Sequence, residues 1–233
     1  MKKYIGTKQI EAEPLSMGEA YAQGLLQAGR VPTEAEKNKP GFKVKYEGGY
    51  TSWSPEDVFL KSYKIADTPL DRMAIEGDDL NTRGLKLLNF LENEKFQELD
   101  AKTRALLIVQ FSLMKEYRRA LIERSDIMKG SHEKAVSFSF GEAIELLKAG
   151  FAVRRAGWNG KGLSVFKQVP AHIESDIIPK MQSLPQSAKD IILKGKGFID
   201  YTSQCLIYNE NTGRADSWVP SISDVFAEDW EVI

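Results

Sequence analysis

Thiols, imidazoles and uninterrupted apolar runs are scarce in this chain, and each shortage closes a class of function. A single cysteine, Cys205, in 233 residues excludes a disulfide within the chain. Together with only two histidines, His132 and His172, it leaves too few soft ligands for a Cys/His zinc site. Cys205 lies in the strand-like run Gln204-Cys205-Leu206-Ile207-Tyr208, which reads as a small buried hydrophobe rather than a nucleophile. An excess of one charge is missing too. Lys and Arg total 32 against 33 Asp and Glu, a net charge of -1, which argues against a polymeric nucleic-acid coat or a membrane-surface binder. Any anion site must therefore be local. No apolar run approaches the roughly 18 residues of a membrane span, and Met1-Lys2-Lys3-Tyr4 does not open a signal peptide. A cytoplasmic protein is expected. Also lacking are a Ser/His/Asp arrangement, a metal cluster, a glycine-rich nucleotide loop of either standard kind and a close carboxylate pair. Catalytic residues, cofactors and metals are therefore assigned to none, and binding without turnover is the expectation.

What is present is a small motif written twice. The first copy reads Ser16-Met17-Gly18-Glu19-Ala20, Ala28-Gly29, Ser52-Trp53-Ser54-Pro55 and Asp57-Val58-Phe59, with an aromatic at Tyr63. The second reads Ser139-Phe140-Gly141-Glu142-Ala143, Ala149-Gly150, Ser217-Trp218-Val219-Pro220 and Asp224-Val225-Phe226, with an aromatic at Trp230. Such ordered self-similarity suggests two copies of one folding unit. Each copy opens on a serine that caps a helix and a glutamate three positions on that reaches back to the cap. In the second copy Ala143, Ile144, Leu146 and Leu147 form one apolar face before Gly150 ends the helix. Strand-like stretches follow at Phe151 to Arg155, Leu163 to Val169, Phe198 to Tyr208 and Trp230 to Ile233.

Between the copies Met73, Leu80, Leu87 and Leu91, then Leu106, Val109, Leu113, Tyr117 and Ala120, recur at helical spacing on either side of Phe96 to Asp100. This predicts two antiparallel helices, with Gly77 and Gly84 on the inner face of the first to permit close approach. A lone hairpin buries little, so oligomerisation is its expected contribution. Pro32 to Pro40 reads as a surface loop, and Gly130 to Lys134 as a linker. An insertion from about Pro170 to Gly197 carries one or two short helices that could cover a pocket. The fold class is thus α+β: two small antiparallel-sheet modules, each opened by a short helix, with an antiparallel helical hairpin between them. The domains are expected at 1–66, 67–130 and 135–233.

Only the second copy carries Arg154-Arg155-Ala156-Gly157-Trp158-Asn159-Gly160-Lys161-Gly162. As structure alone, Asn159-Gly160 is the dipeptide of a hairpin turn whose two residues need positive φ. As chemistry, glycines around Lys161 let backbone N–H groups approach a phosphate, and Trp158 offers a face for a purine, worth about 1 to 3 kcal/mol per base. Trp218 and Trp230 fit core packing, and Asp57 and Asp224 fit caps of the helical turns after Pro55 and Pro220. Arg154 and Arg155 alternate in a strand, so one points inward and needs an anionic partner, either Asp224 or a ligand.

The second copy resembles the Thoeris anti-defense 2 sponges of bacteriophages. The resemblance rests on Ser139-Phe140-Gly141-Glu142-Ala143, the block from Arg155 through Gly162, and Met181-Gln182-Ser183-Leu184-Pro185 followed by Gln186-Ser187-Ala188-Lys189. Tyr201 to Gln204 and Ser217 through Ile233 complete it. It implies a phage-encoded homo-oligomer, a dimer or the family's tetramer, acting in the host bacterial cytoplasm. Members of that family capture cyclic ADP-ribose isomers made by TIR enzymes of the Thoeris defence, some also hold cyclic dinucleotides, and none is hydrolysed. The ligand residues it implies are Arg155, Trp158, Asn159, Gly160, Lys161, Gly162, Gln204, Ser217, Ser221 and Asp224. The middle hairpin resembles small helical proteins of crAss-like and other Bacteroidota phages. The first copy lacks Trp-Asn-Gly-Lys-Gly and reads as a degenerate module. The alternative is a structural or adaptor protein whose two repeats dock other proteins.

Overall fold

The computed structural model describes residues 9–131 and 136–233. The start of the chain and most of the expected linker, His132 to Lys134, lie outside the described residues. The chain divides into two compact units, one ending at Lys129 and one beginning at Gly130.

The first unit contains β1 (Ile10–Pro14), α1 (Met17–Ala22), β2 (Gly41–Tyr46), β3 (Thr51–Pro55) and α2 (Glu56–Ser62), then α3 (Pro69–Leu91), α4 (Glu94–Gln97) and α5 (Ala101–Met128). Its three strands form an antiparallel sheet in chain order. The expected capping box is present: Ser16 Oγ accepts from the Glu19 N–H while the Glu19 carboxylate accepts from the Ser16 N–H at 2.9 Å. Two details differ from expectation. A strand precedes the opening helix, and that helix stops at Ala22, with Gly24 at φ +68, well before Ala28-Gly29. A Schellman cap explains the short helix: Gly24 takes the left-handed conformation, Leu25 N donates to the Ala20 carbonyl at 2.9 Å and Gly24 N to the Tyr21 carbonyl at 3.0 Å. Phe42 of β2 stacks on Phe59 of α2 at 4.2 Å, and Val44 on β2 is buried. Gly41 is required where it stands, because a Cβ there would lie 2.4 Å from the Trp53 ring.

The two long helices of the hairpin are α3 and α5, each with a side-chain N-cap, Thr68 and Asp100. Met73, Leu80 and Leu121 form their shared buried cluster. The break between them is a turn of helix of its own, α4, seated by the buried Phe96. The inner glycines are not there for close approach: a Cβ at Gly77 or Gly84 would meet nothing within 4 Å.

In the second unit the order is α6 (Phe140–Lys148), β4 (Val153–Arg155), β5 (Leu163–Lys167), β6 (Ala171–Ile173), α7 (Gln186–Lys194), β7 (Ile199–Tyr201), β8 (Cys205–Asn209), β9 (Arg214–Ser217), α8 (Ile222–Val225) and β10 (Trp230–Val232). Ser139 and Glu142 make the second capping box, and Gly150 at φ +93 ends α6 as anticipated. Five strands run in the order β10-β4-β5-β8-β9, all antiparallel. The core sits between α6 and this sheet: Ala143, Leu147, Val153, Val165, Ala227 and Trp230 are buried together. The insertion is bracketed by the β6–β7 ribbon and holds a 3-10 turn at Ile178–Lys180, with Ile178 fully buried, and α7. The β9 strand is exposed along its whole length and its Arg-Ala-Asp-Ser sequence has no apolar alternation, which is why it is absent from the sequence reading.

Candidate functional site

The sheet and α8 bring three of the expected residues to one carboxylate. The register pairs Trp230 with Arg155 across β10 and β4, which puts the Arg155 side chain beside the end of α8. There Asp224, 6% exposed, is filled on both oxygens. Its Oδ1 accepts from Arg155 Nη1 at 3.0 Å and from Trp158 Nε1 at 3.1 Å. Its Oδ2 accepts from Ser221 N at 2.9 Å and Ser221 Oγ at 2.7 Å, so Asp224 is the third residue of a capping box, the capping role expected of it. Its backbone carbonyl accepts from Trp230 Nε1 at 3.2 Å. Burial opposes ionisation of this carboxyl, but the Ser221 hydroxyl and N–H, then Arg155 and Trp158, outweigh it and hold the pKa at about 2, against 3.8 ordinarily.

Arg155 is the inward arginine of the pair, and its partners belong to the protein. Nε donates to Asp229 Oδ1 at 2.8 Å, and Nη1 donates to Asp224 and to the Ser223 carbonyl at 3.1 Å. Asp229 also accepts from Gly157 N at 2.7 Å, tying down the start of the loop. The hydrogen bond to Asp229 raises the Arg155 pKa above its ordinary value, and the same bond lowers that of Asp229. Arg154 points outward to Glu231, at 3.1 Å. Asp229 and Ser223 were not singled out from sequence. Only the pairing of β10 with β4 makes Asp229 a neighbour of Arg155, 74 residues away.

Trp158 is half-buried. Its ring meets the fully buried Trp230 edge-on at 5.5 Å, Trp218 does the same at 5.9 Å, and Phe140 is tilted against it at 5.8 Å. Trp218 and Trp230 therefore belong to the core, as their place in the repeats implies. The indole of Trp158 is oriented twice, by the ring contact and by its N–H on Asp224.

The loop from Ala156 to Gly162 departs from the expected two-residue turn. Neither Asn159 nor Gly160 has positive φ; the left-handed residue is Gly162, at φ +76. The cause is the neighbouring β8–β9 turn, which packs on the loop: Asn211 Nδ2 donates to the Lys161 carbonyl at 2.8 Å and Glu210 N to the Gly162 carbonyl at 2.9 Å. A Cβ on Gly162 would lie 2.5 Å from Glu210 Cγ. The loop is thus a seven-residue connection, with Asn159, Gly160 and Lys161 exposed at its tip.

The remaining expected residues lie elsewhere. Gln204 and Ser217 are exposed at the far end of β8, where Gln204 Nε2 donates to Gln168 Oε1 at 2.8 Å and Ser217 pairs with Leu206. The length of β8, roughly 17 Å at about 3.4 Å per residue, separates that end from Gly162 along the strand. Within one chain the expected residues therefore fall into an Asp224 hub (Arg155, Trp158, Ser221), a loop tip (Asn159 to Gly162) and a distal pair (Gln204, Ser217). Among its described residues the first module has no such hub: Trp53 Nε1 donates to the Leu15 carbonyl at 2.8 Å, and α2 has no side-chain cap.

Two family profiles match the chain. Residues 67–127 match Sequestin, and residues 138–233 match the Thoeris anti-defense 2-like domain. The chain is also similar to Thoeris anti-defense 2 of Bacillus phage SP01, with 34% identity over 100 residues, spanning 41% of this chain and 93% of that protein. Hub, loop and five-stranded sheet all fall inside residues 138–233, and by its similarity to that relative the chain belongs to the Thoeris anti-defense 2-like family.

Proposed function

We propose that this protein is a phage-encoded sponge that binds a cyclic nucleotide immune signal, a cyclic ADP-ribose isomer or a cyclic dinucleotide. It withholds that signal from Thoeris or CBASS-type defence and releases it unaltered. The observation that carries this reading is the match of residues 138–233 to the anti-defense domain, in the unit whose loop holds Trp158. The name of the second profile, Sequestin, agrees with sequestration.

The geometry supports a division of labour. Asp224 and Asp229 neutralise Arg155, so its role is to fix the loop and the Trp158 ring before a ligand arrives, which lowers the ordering cost of binding. Trp158 supplies the stacking face, and the exposed tip Asn159-Gly160-Lys161 supplies donors and a positive charge for phosphate. Gln204 and Ser217 lie a strand's length from the loop tip, so a ligand held at the tip meets them only if it spans that distance or a second chain presents its own pair, which fits assembly as a dimer or tetramer. Sequestration of a scarce signal requires nanomolar affinity, about 12 kcal/mol.

Calorimetry of the purified chain with cyclic ADP-ribose isomers and cyclic di- and trinucleotides, followed by mass spectrometry of ligand released on heating, tests the reading. The expected result is tight binding of at least one compound and its recovery intact. Failure of all of them to bind at micromolar concentration ends the proposal, and recovery of a cleaved product replaces it with an enzyme.

A further inference from the structure

Helix α5 carries two apolar stripes, and the hairpin uses one. Met114 and Leu121 face α3, where Met73, Leu80 and Leu121 form the buried cluster between helices of 23 and 28 residues. The second stripe, Leu106, Val109 and Leu113, repeats at intervals of three and four residues on another side of the helix. Its members are 60%, 52% and 64% exposed, so no described residue covers them. A single exposed leucine is ordinary. A contiguous row of three along one helix has the form of a helix–helix seam without its second helix.

The charges beside the row select that second helix. Along the seam Leu106, Leu113 and Ala120 occupy one heptad position, and Lys102, Val109 and Glu116 occupy the other. A parallel second copy would set Lys102 against Lys102 and Glu116 against Glu116. An antiparallel copy, with the two-fold axis beside Phe111, packs Val109 on Leu113 of the other copy and brings Lys102 within one helical turn of Glu116 at each end. The carboxylate is available. Arg119 holds one oxygen of Glu116 at 3.0 Å, while Lys115 stands 3.8 Å from the other, outside hydrogen-bond range. The row is thus self-complementary under two-fold rotation, as a contact between identical chains requires.

We propose that α5 pairs antiparallel with α5 of a second copy of this chain, through Leu106, Val109 and Leu113 and two Lys102–Glu116 ion pairs. The strip from Lys102 to Ala120 is about 27 Å long and one helix wide, smaller than a standard interface of about 800 Å² per partner. The pairing is therefore reversible and concentration-dependent. It does not rest on the reading given to the C-terminal unit.

The test is a distance between spin labels on Asp126→Cys in the full chain, with Cys205→Ser removing the native thiol, at about 100 μM. Asp126 is exposed and lies outside the seam. Antiparallel pairing about Phe111 puts the labels about 45 Å apart along the helix axis, whereas parallel pairing puts them within about 30 Å. A component near the longer distance is expected. It should vanish in Leu113→Glu, while the circular dichroism of the dilute chain stays that of the parent because Leu113 is exposed. Lys102→Glu and Glu116→Lys should each raise the dissociation constant about tenfold. An equimolar mixture of these two variants should restore pairing, because each then meets the charge it lacks. The proposal is overturned if the long component is absent, if it survives Leu113→Glu, or if the labels show the short distance in its place. A mixture that pairs no better than either variant alone overturns it too. Since the readout is a distance between hairpins, it succeeds or fails whatever the C-terminal unit binds.

Discussion

Asp224 does several jobs with one carboxylate. It completes a helix cap, balances an inward arginine and orients an indole, and its ionised form is stabilised by all three. Its folded pKa of about 2 lies below the ordinary 3.8, a difference worth about 2 kcal/mol as an order of magnitude. Because the folded value is depressed, that stability is fully present above about pH 4 and is lost as the pH falls through about 2. Asp224→Asn should therefore lower the melting temperature at pH 7 by the equivalent of about 3 kcal/mol, since it strips half the counter-charge from a largely buried arginine. The variant should also melt with a flatter dependence on pH between about 4 and 2 than the parent chain. Scanning calorimetry of both proteins across that range checks this. Parallel curves for the two would show that Asp224 carries none of the acid sensitivity.

At the scale of elements, what could be read from the residues was whatever is settled within one turn of chain. Ser16 with Glu19 and Ser139 with Glu142 cap helices because four consecutive residues contain the whole motif. The Asn159-Gly160 turn could not be read correctly, because its shape is imposed from outside by Glu210 and Asn211 on the β8–β9 turn. Gly162→Ala should thus cost about 1 to 2 kcal/mol for the left-handed backbone alone, before the clash with Glu210. Gly160→Ala should cost clearly less, since its Cβ meets the movable Leu163 Cδ1, at 2.6 Å. Chemical denaturation of the two variants distinguishes the observed loop from a two-residue turn, which would reverse the order. The hairpin glycines show a related limit of local pattern: spacing says that Gly84 faces inward but not how far away its neighbours are. With open space around its Cβ, Gly84→Ala should stabilise the hairpin by roughly 0.5 to 1 kcal/mol. A loss of stability there would mean that the helices do need a bare backbone at that point.

For the whole molecule, the repeat visible in the sequence marks shared devices more than a shared sheet. Both copies keep the capping box, a pair of antiparallel strands and a helical turn after a proline. Among the described residues the first copy has a three-stranded sheet and buries Phe59, whereas the main sheet of the second has five strands and the corresponding Phe226 is 79% exposed. The hub arises only in the second because β10 returns to β4 and carries Asp229 and Trp230 with it, a pairing of distant segments that no local pattern encodes. The proposed sponge binds without turnover and so has a finite capacity. Mixed with a cyclic nucleotide it binds, it should deplete free ligand only up to a fixed molar ratio. Further additions should stay free however long the mixture stands, and heating should return the whole amount intact. A turnover catalyst would continue to consume ligand beyond that ratio. Following free ligand by chromatography over hours at several protein concentrations separates the two, and depletion that scales with time instead of with protein would remove the sponge reading.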